Sequence, residues 1–197
     1  MSKAVDGATA LCLACGICCE GVLHNHALAA HEELERIEQL GISLYEKRDY
    51  PAFALPCPCH VDGRCTVYNQ RPRACGAYTC SLLQAAQEGT RSFSEAHRIV
   101  EQMREVMGRI YKTIGRRDQE LRIWKQARNF LSNRWEKSSV SEAAFRRENA
   151  ALLLDLNVLA LLCGRHFEPE NFKGAWAWDS VESSDGTMVS AALAASH

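Results

Sequence analysis

The sequence predicts a mainly α fold in which an irregular cysteine-rich lobe docks on a small α-helical bundle. Three observations carry this expectation. Nine of the ten cysteines fall within the first 80 residues. The stretch 49–80 is rich in Pro, Gly and Cys and has no periodic apolar stripe. From residue 92 onward, apolar side chains recur every three or four positions, the period of a helix with one buried face. At 197 residues the chain is long enough for one ordinary domain, or for one domain with an appended subdomain. The expected divisions are a cysteine-cluster region at 1–90, an α-helical region at 91–178 and a flexible tail at 179–197.

In chain order, residues 1–26 read as irregular and cysteine-bearing. Residues 27–40 place Leu28, His31, Leu34, Ile37 and Leu40 at helical spacing, with Gly41 as a stop. Residues 49–80 read as loops and short turns that need something other than a core to hold them. Ser92 and Glu95 form the S-x-x-E pattern of a capping box. Phe93, Ala96, Val100, Met103, Met107, Ile110 and Ile114 follow as one stripe, ended by Gly115. A second helix, about 117–135, sets Leu121, Trp124, Ala127, Leu131 and Trp135 on one side. A third, about 141–163, is apolar nearly all round from Ala150 to Cys163, as expected of the buried member of a bundle. No alternating strand of useful length is evident.

The net charge of -1 points neither to nucleic acid nor to a membrane. Within 91–137, however, 12 basic residues stand against 6 acidic ones. There Arg116, Arg117, Arg122, Lys125, Arg128 and Arg134 interleave with Trp124, Phe130 and Trp135. The aromatics fall on or near the apolar stripe, so a solvated basic helix face is favoured over a nucleic-acid surface. The apolar stretch 8–19 lacks the basic flank and small-residue cleavage site of an export signal. No apolar run approaches the roughly 20 residues of a membrane span. The expected setting is the cytoplasm, where thiols stay reduced and clustered cysteines are more often metal ligands than disulfides.

Four cysteines, Cys12, Cys15, Cys18 and Cys19, occupy eight residues, and Cys57, Cys59, Cys65, Cys75 and Cys80 occupy a later twenty-four. The C-x2-C spacing lets two thiolates reach one metal across a tight turn, and Gly16 gives such a turn its backbone freedom. Adjacent Cys18 and Cys19 point in different directions. Either they serve two metals, or one of them ligates while the other bridges or stays free. Zinc in closed thiolate sites and an iron–sulfur cluster both remain open.

Cys12-x2-Cys15-x2-Cys18-Cys19, followed by Cys57-Pro58, Gly63-Arg64-Cys65-x2-Tyr68-x2-Arg71-Pro72-x2-Cys75 and Tyr78-x-Cys80, resembles the CxxCxxCC cysteine-cluster family of zinc- or iron-chelating proteins. The C-x-x-Y-x-x-R-P-x-x-C element is its most specific part. The resemblance covers residues 12–80 and implies Cys12, Cys15, Cys18, Cys19, Cys57, Cys65, Cys75 and Cys80 as the chelating positions. Cys59 and His60 stand where the family more often has apolar residues. A similar cluster in a bacterial flagellin lysine methylase implies iron and sulfur as an alternative content, including a [4Fe–4S] cluster. A thiolate centre needs nearby cations and hydrogen-bond donors. Arg64, Arg71 and Arg73 are expected to provide them, with Tyr68 and Tyr78 covering the site.

His24, His26 and His31 follow the first cluster, and solvated histidines are the favoured reading there. Cys163, in the most apolar helix, reads as a small buried residue. No Gly-rich phosphate loop, G-x-S-x-G or H-E-x-x-H pattern occurs, so any catalysis would fall to the metal centre. The expectation is therefore a cytoplasmic, bacterial metal-binding protein. It would chelate zinc or iron as a structural, interaction or metal-handling module, with a possible protein partner on the helical region. The alternative is an iron–sulfur enzyme or electron carrier acting on a protein or peptide.

Overall fold

Asp6 opens the first helix, α1 (Gly7–Cys15), by accepting the Thr9 N–H at 2.9 Å. Gly16 closes it in the left-handed conformation, at φ 61°. Residues 12 and 15 are thus helical rather than irregular, because a capped run of Ala and Leu favours helix over the short distance to Gly16. The chain is described by a computed structural model over residues 6–115 and 120–168. The expected tail at 179–197, and Arg116 and Arg117 of the basic segment, lie outside the described residues.

The helix expected over 27–40 divides. Residues His26–Leu28 form strand β1, His31–Glu33 form one 3₁₀ turn, and only Leu34–Gln39 form helix α2. The first part of the apolar period is used for strand pairing instead, with Ala27 opposite Phe53. Strands β2 (Leu44–Lys47) and β3 (Tyr50–Ala54) complete an antiparallel sheet of order β1-β3-β2. The turn between them holds Arg48 at φ 49° and Asp49 at φ 68°.

A second hairpin pairs β4 (His60–Val61) with β5 (Arg64–Cys65) through Asp62-Gly63, both at positive φ. Asp-Gly is the favoured sequence for such a two-residue turn, because both positions must adopt φ > 0. Short helices α3 (Arg73–Ala77) and α4 (Ser81–Gln87) follow. The region expected to be loops without a core, 49–80, therefore holds β3 and the β4–β5 hairpin, and its Phe53, Leu55 and Cys59 join Ala29, Ile37 and Ile42 in a modest core.

Helix α5 (Phe93–Ile114) begins at the expected capping box and ends at Gly115. Its buried face comprises Ala96, Ile99, Val100, Met103, Val106, Met107 and Ile110. Helix α6 (Ile123–Glu136) packs beside it. The third predicted helix breaks at Asn149 into α7 (Glu142–Glu148) and α8 (Ala150–Leu162), and a π turn at Cys163–Phe167 extends the latter.

Helix α8 is not enclosed on all sides. Leu152, Leu156, Leu159 and Ala160 are buried, whereas Leu154 and Leu161 are 63% and 68% exposed. The segment Ala150–Phe167 also passes the length and composition test for a membrane span, contrary to the expectation that no run approaches that size. Core helices pass the same test, and α8 packs on α5 and pairs Asp155 with Arg109 at 2.7 Å.

Leu11, Ile17, Val22 and Leu23 join Leu82, Leu83 and the inner faces of α5, α6 and α8 in the main core. The first cysteine cluster is therefore built onto the helical core. Helix α6 also ties the cluster down directly. Trp124 Nε1–H donates to the Val22 carbonyl at 2.8 Å, and Arg122 Nε donates to the Gly21 carbonyl at 2.6 Å. Trp135 meets Phe145 edge-on at 5.1 Å. Trp124 and Trp135 thus both make packing contacts within the fold.

Candidate metal centre

Each cysteine of the motif owes its position to a different local device. Helix α1 presents Cys12 and Cys15 three residues apart on one face. The left-handed Gly16 then reverses the chain, so that Cys18 and Cys19 return toward α1, and Gly21, at φ 68°, ends that turn. Cys57 precedes β4, Cys65 ends β5, Cys75 lies in α3 and Cys80 stands at the start of α4. All eight line one cavity of about 530 Å³.

Cys59 and Cys163 do not line it. The Cys59 S–H donates to the Leu40 carbonyl at 3.3 Å, within the small sheet core. Cys163 is fully buried in the helical core. All ten sulfurs are free thiols.

Burial is the first cause that raises the thiol pKa values, with mutual repulsion of the sulfurs added to it. Cys15 and Cys57 are pushed up to about 12, and Cys75 to about 11. Cys18 and Cys19 rise further, Cys18 through Cys15 and Cys80, and Cys19 through Cys65, Cys57 and Cys75. Cys12 and Cys80 are also raised by burial. Such thiols stay protonated in a cavity that holds no cation. A nearby positive charge, such as a metal ion carries, would favour the thiolate form of these partly buried groups.

Of the three arginines expected near the sulfurs, Arg71 lines the cavity and Arg64 and Arg73 do not. Arg71 lies over the Tyr68 ring at 4.1 Å, and it opposes the burial effect on both Cys12 and Cys75. Tyr68 likewise opposes the burial effect on Cys12. Arg71, Tyr68 and Tyr78 all line the cavity. Arg73 instead binds Glu32 at 2.7 Å, and its backbone N–H donates to the Glu33 carboxylate at 3.1 Å. Arg64 is exposed on the β4–β5 hairpin and lines no part of the cavity.

Several polar groups have no sequence signature. Arg104 on α5 pairs with the buried Glu20 carboxylate, and His60 Nδ1 lies 3.7 Å from the same carboxylate. The His60 ring and Arg104 also crowd Gly16: a Cβ there would sit 2.3 Å from His60 Nε2 and 2.8 Å from Arg104 Nη2. At the other end, the Tyr78 hydroxyl donates to Glu168, and His24 Nε2 stands 3.5 Å from that carboxylate and edge-on to Tyr78. Burial lowers the pKa of His24. His26 contacts Lys47, and His31 is an exposed residue of the 3₁₀ turn.

The donor set suits a thiophilic metal: eight sulfurs, little competing oxygen, and an apolar surround. The sulfurs ring a space rather than close on a point. Among the described residues, no three Cys, His, Asp or Glu side chains stand close enough to hold a single ion.

Residues 11–106 match the model of the CxxCxxCC family, described as a "Putative zinc- or iron-chelating domain". The match begins beside Cys12 and runs through the Arg-Pro element into α5. No curated protein and no solved structure matches the chain.

Proposed function

Because residues 11–106 match the model of the CxxCxxCC family, we propose that this chain binds zinc or iron through Cys12, Cys15, Cys18, Cys19, Cys57, Cys65, Cys75 and Cys80. The binding serves as a structural or metal-handling module in a reducing compartment such as the cytoplasm. The observation that carries this reading is selective. The cavity is lined by the eight cysteines of the motif and by neither of the two outside it. The metal supplies the charge that lets the buried thiols ionise, and it links α1, the β4–β5 hairpin, α3 and α4 across a sparse core. Arg71 and the Tyr68 hydroxyl temper the negative charge at Cys12 and Cys75. The exposed leucines of α8 are where a protein partner would meet the helical region.

Anaerobic isolation followed by analysis for Zn, Fe and acid-labile sulfide tests this reading. The expected result is stoichiometric zinc, or iron with sulfide. A folded, reduced protein that binds neither removes the proposal. The pH dependence has a definite sign. Each ligand must lose a proton to bind, and burial has raised the pKa of Cys12, Cys15, Cys18, Cys19, Cys57, Cys75 and Cys80, so metal retention falls as pH falls. The same shifts act oppositely on the metal-free fold. Its thiols resist ionisation that the unfolded chain, near the ordinary value of 9.0, undergoes freely. The metal-free form therefore keeps its full stability below pH 9 and loses it as pH rises toward the folded values near 11 to 12.

A further inference from the structure

We propose that the eight thiols form two separate four-thiolate centres: Cys12, Cys15, Cys18 and Cys80 in one, and Cys19, Cys57, Cys65 and Cys75 in the other. This rests on the metal-chelating reading above and adds the number and membership of the sites.

Packing separates the two groups. Cys12, Cys15, Cys18 and Cys80 lie against the helical core, beside Leu11, Leu82 and Val100. Cys57 and Cys75 lie against the sheet core of Ile37, Ile42 and Phe53. The secondary structure divides them along the same line, although α1 also touches β5. The first group is carried by α1, the turn after it and the start of α4, and α1 packs on α4. The second group lies on the β4–β5 hairpin and α3, joined by Cys19.

Cys19 is pinned to that second group by its backbone, since its carbonyl accepts the Cys57 N–H at 2.7 Å. The adjacency of Cys18 and Cys19 thus has a geometric purpose. Two consecutive side chains that diverge can serve two ions, and one peptide unit then links the centres. Cys59 belongs to neither set, because its sulfur is turned to the Leu40 carbonyl.

The test uses the full chain, reduced and metal-free, titrated with Co²⁺ under argon. Thiolate-to-cobalt absorption counts the sites. Alkylation with iodoacetamide, read by mass spectrometry on the one-metal species, identifies which thiols are protected together. The expected result is two equivalents per chain, with protected sulfurs of any one-metal species drawn from a single quartet. The paired replacement Cys12→Ser with Cys80→Ser should halve the cobalt bound and leave Cys19, Cys57, Cys65 and Cys75 protected. Cys57→Ser with Cys75→Ser should do the reverse.

One equivalent in the unaltered chain, protected sets that mix the quartets, or loss of all cobalt from either paired variant overturns the division while leaving metal chelation intact. The alkylation pattern of the unaltered chain decides the matter even if a paired variant fails to fold. A reduced, folded chain that takes up no Co²⁺ overturns the chelation reading and this proposal together.

Discussion

Cys18→Ser is expected to lower metal affinity by more than about 100-fold, beyond the upper end of what loss of an outer-shell partner costs a metal site. Cys18 lines the cavity from the turn after α1 and packs against the main core. A serine hydroxyl cannot ionise there and is a poor ligand for a thiophilic ion. Because the site exists only in the folded chain, lost binding is lost folding free energy. A factor of 100 corresponds to about 2.7 kcal/mol under saturating metal, or roughly 5–10 °C in Tm for a domain of this size. Elemental analysis and thermal melts on the same sample provide the measurement. Cys59→Ser is the control, since its sulfur faces Leu40 rather than the cavity, and it should retain its metal. Equal metal loss in both variants would show that lining the cavity does not mark a ligand.

The second large effect is expected at Gly16→Ala. The left-handed conformation costs about 1–2 kcal/mol for any residue with a Cβ. The new methyl would also lie 2.3 Å from His60 Nε2, a ring atom that is itself buried. Relief requires moving His60 or α1, and with them the Glu20–Arg104 pair and the return of Cys18 and Cys19. Overpacking of this kind costs typically about 1–3 kcal/mol more. Gly41→Ala isolates the conformational part, because Gly41 is also at positive φ but its Cβ would meet nothing within 4 Å. Denaturant unfolding of the two variants should therefore separate clearly, with Gly16→Ala less stable and poorer in metal. If the two variants unfold together, Gly16 is only a turn residue and the His60 contact carries no weight.

What could be read in the sequence divides along physical lines. Helix α5 was legible almost in full, because Ser92, Glu95 and the Ala96-to-Ile110 stripe are local signals that agree. The eight cysteines that the family resemblance implies all line one cavity, and Arg71 and Tyr68 line it with them. The helix over 27–40 was misread because Leu28 and His31 fall in helical phase by coincidence. Pairing of β1 with β3, a contact between distant segments, overrides that phase. The β4–β5 hairpin had a legible cue in Asp62-Gly63 that the cysteine density obscured.

Arg64 and Arg73 illustrate a different limit. Spacing placed three arginines near the sulfurs, but only the fold shows that Glu32 and Glu33 engage Arg73 and that the hairpin turns Arg64 outward. Arg104 and Glu20 were invisible for the same reason. Their pairing joins positions 84 residues apart, and nothing local announces it.

X-ray absorption at the K-edge of the native metal tests the central claim most directly, because it reads the atoms bonded to the ion. The account predicts a first shell of about four sulfurs near 2.3 Å per metal. A short metal–metal distance would be added if the content is an iron–sulfur cluster. A first shell of oxygen or nitrogen would contradict it, since the eight cavity thiols would then not be the ligands.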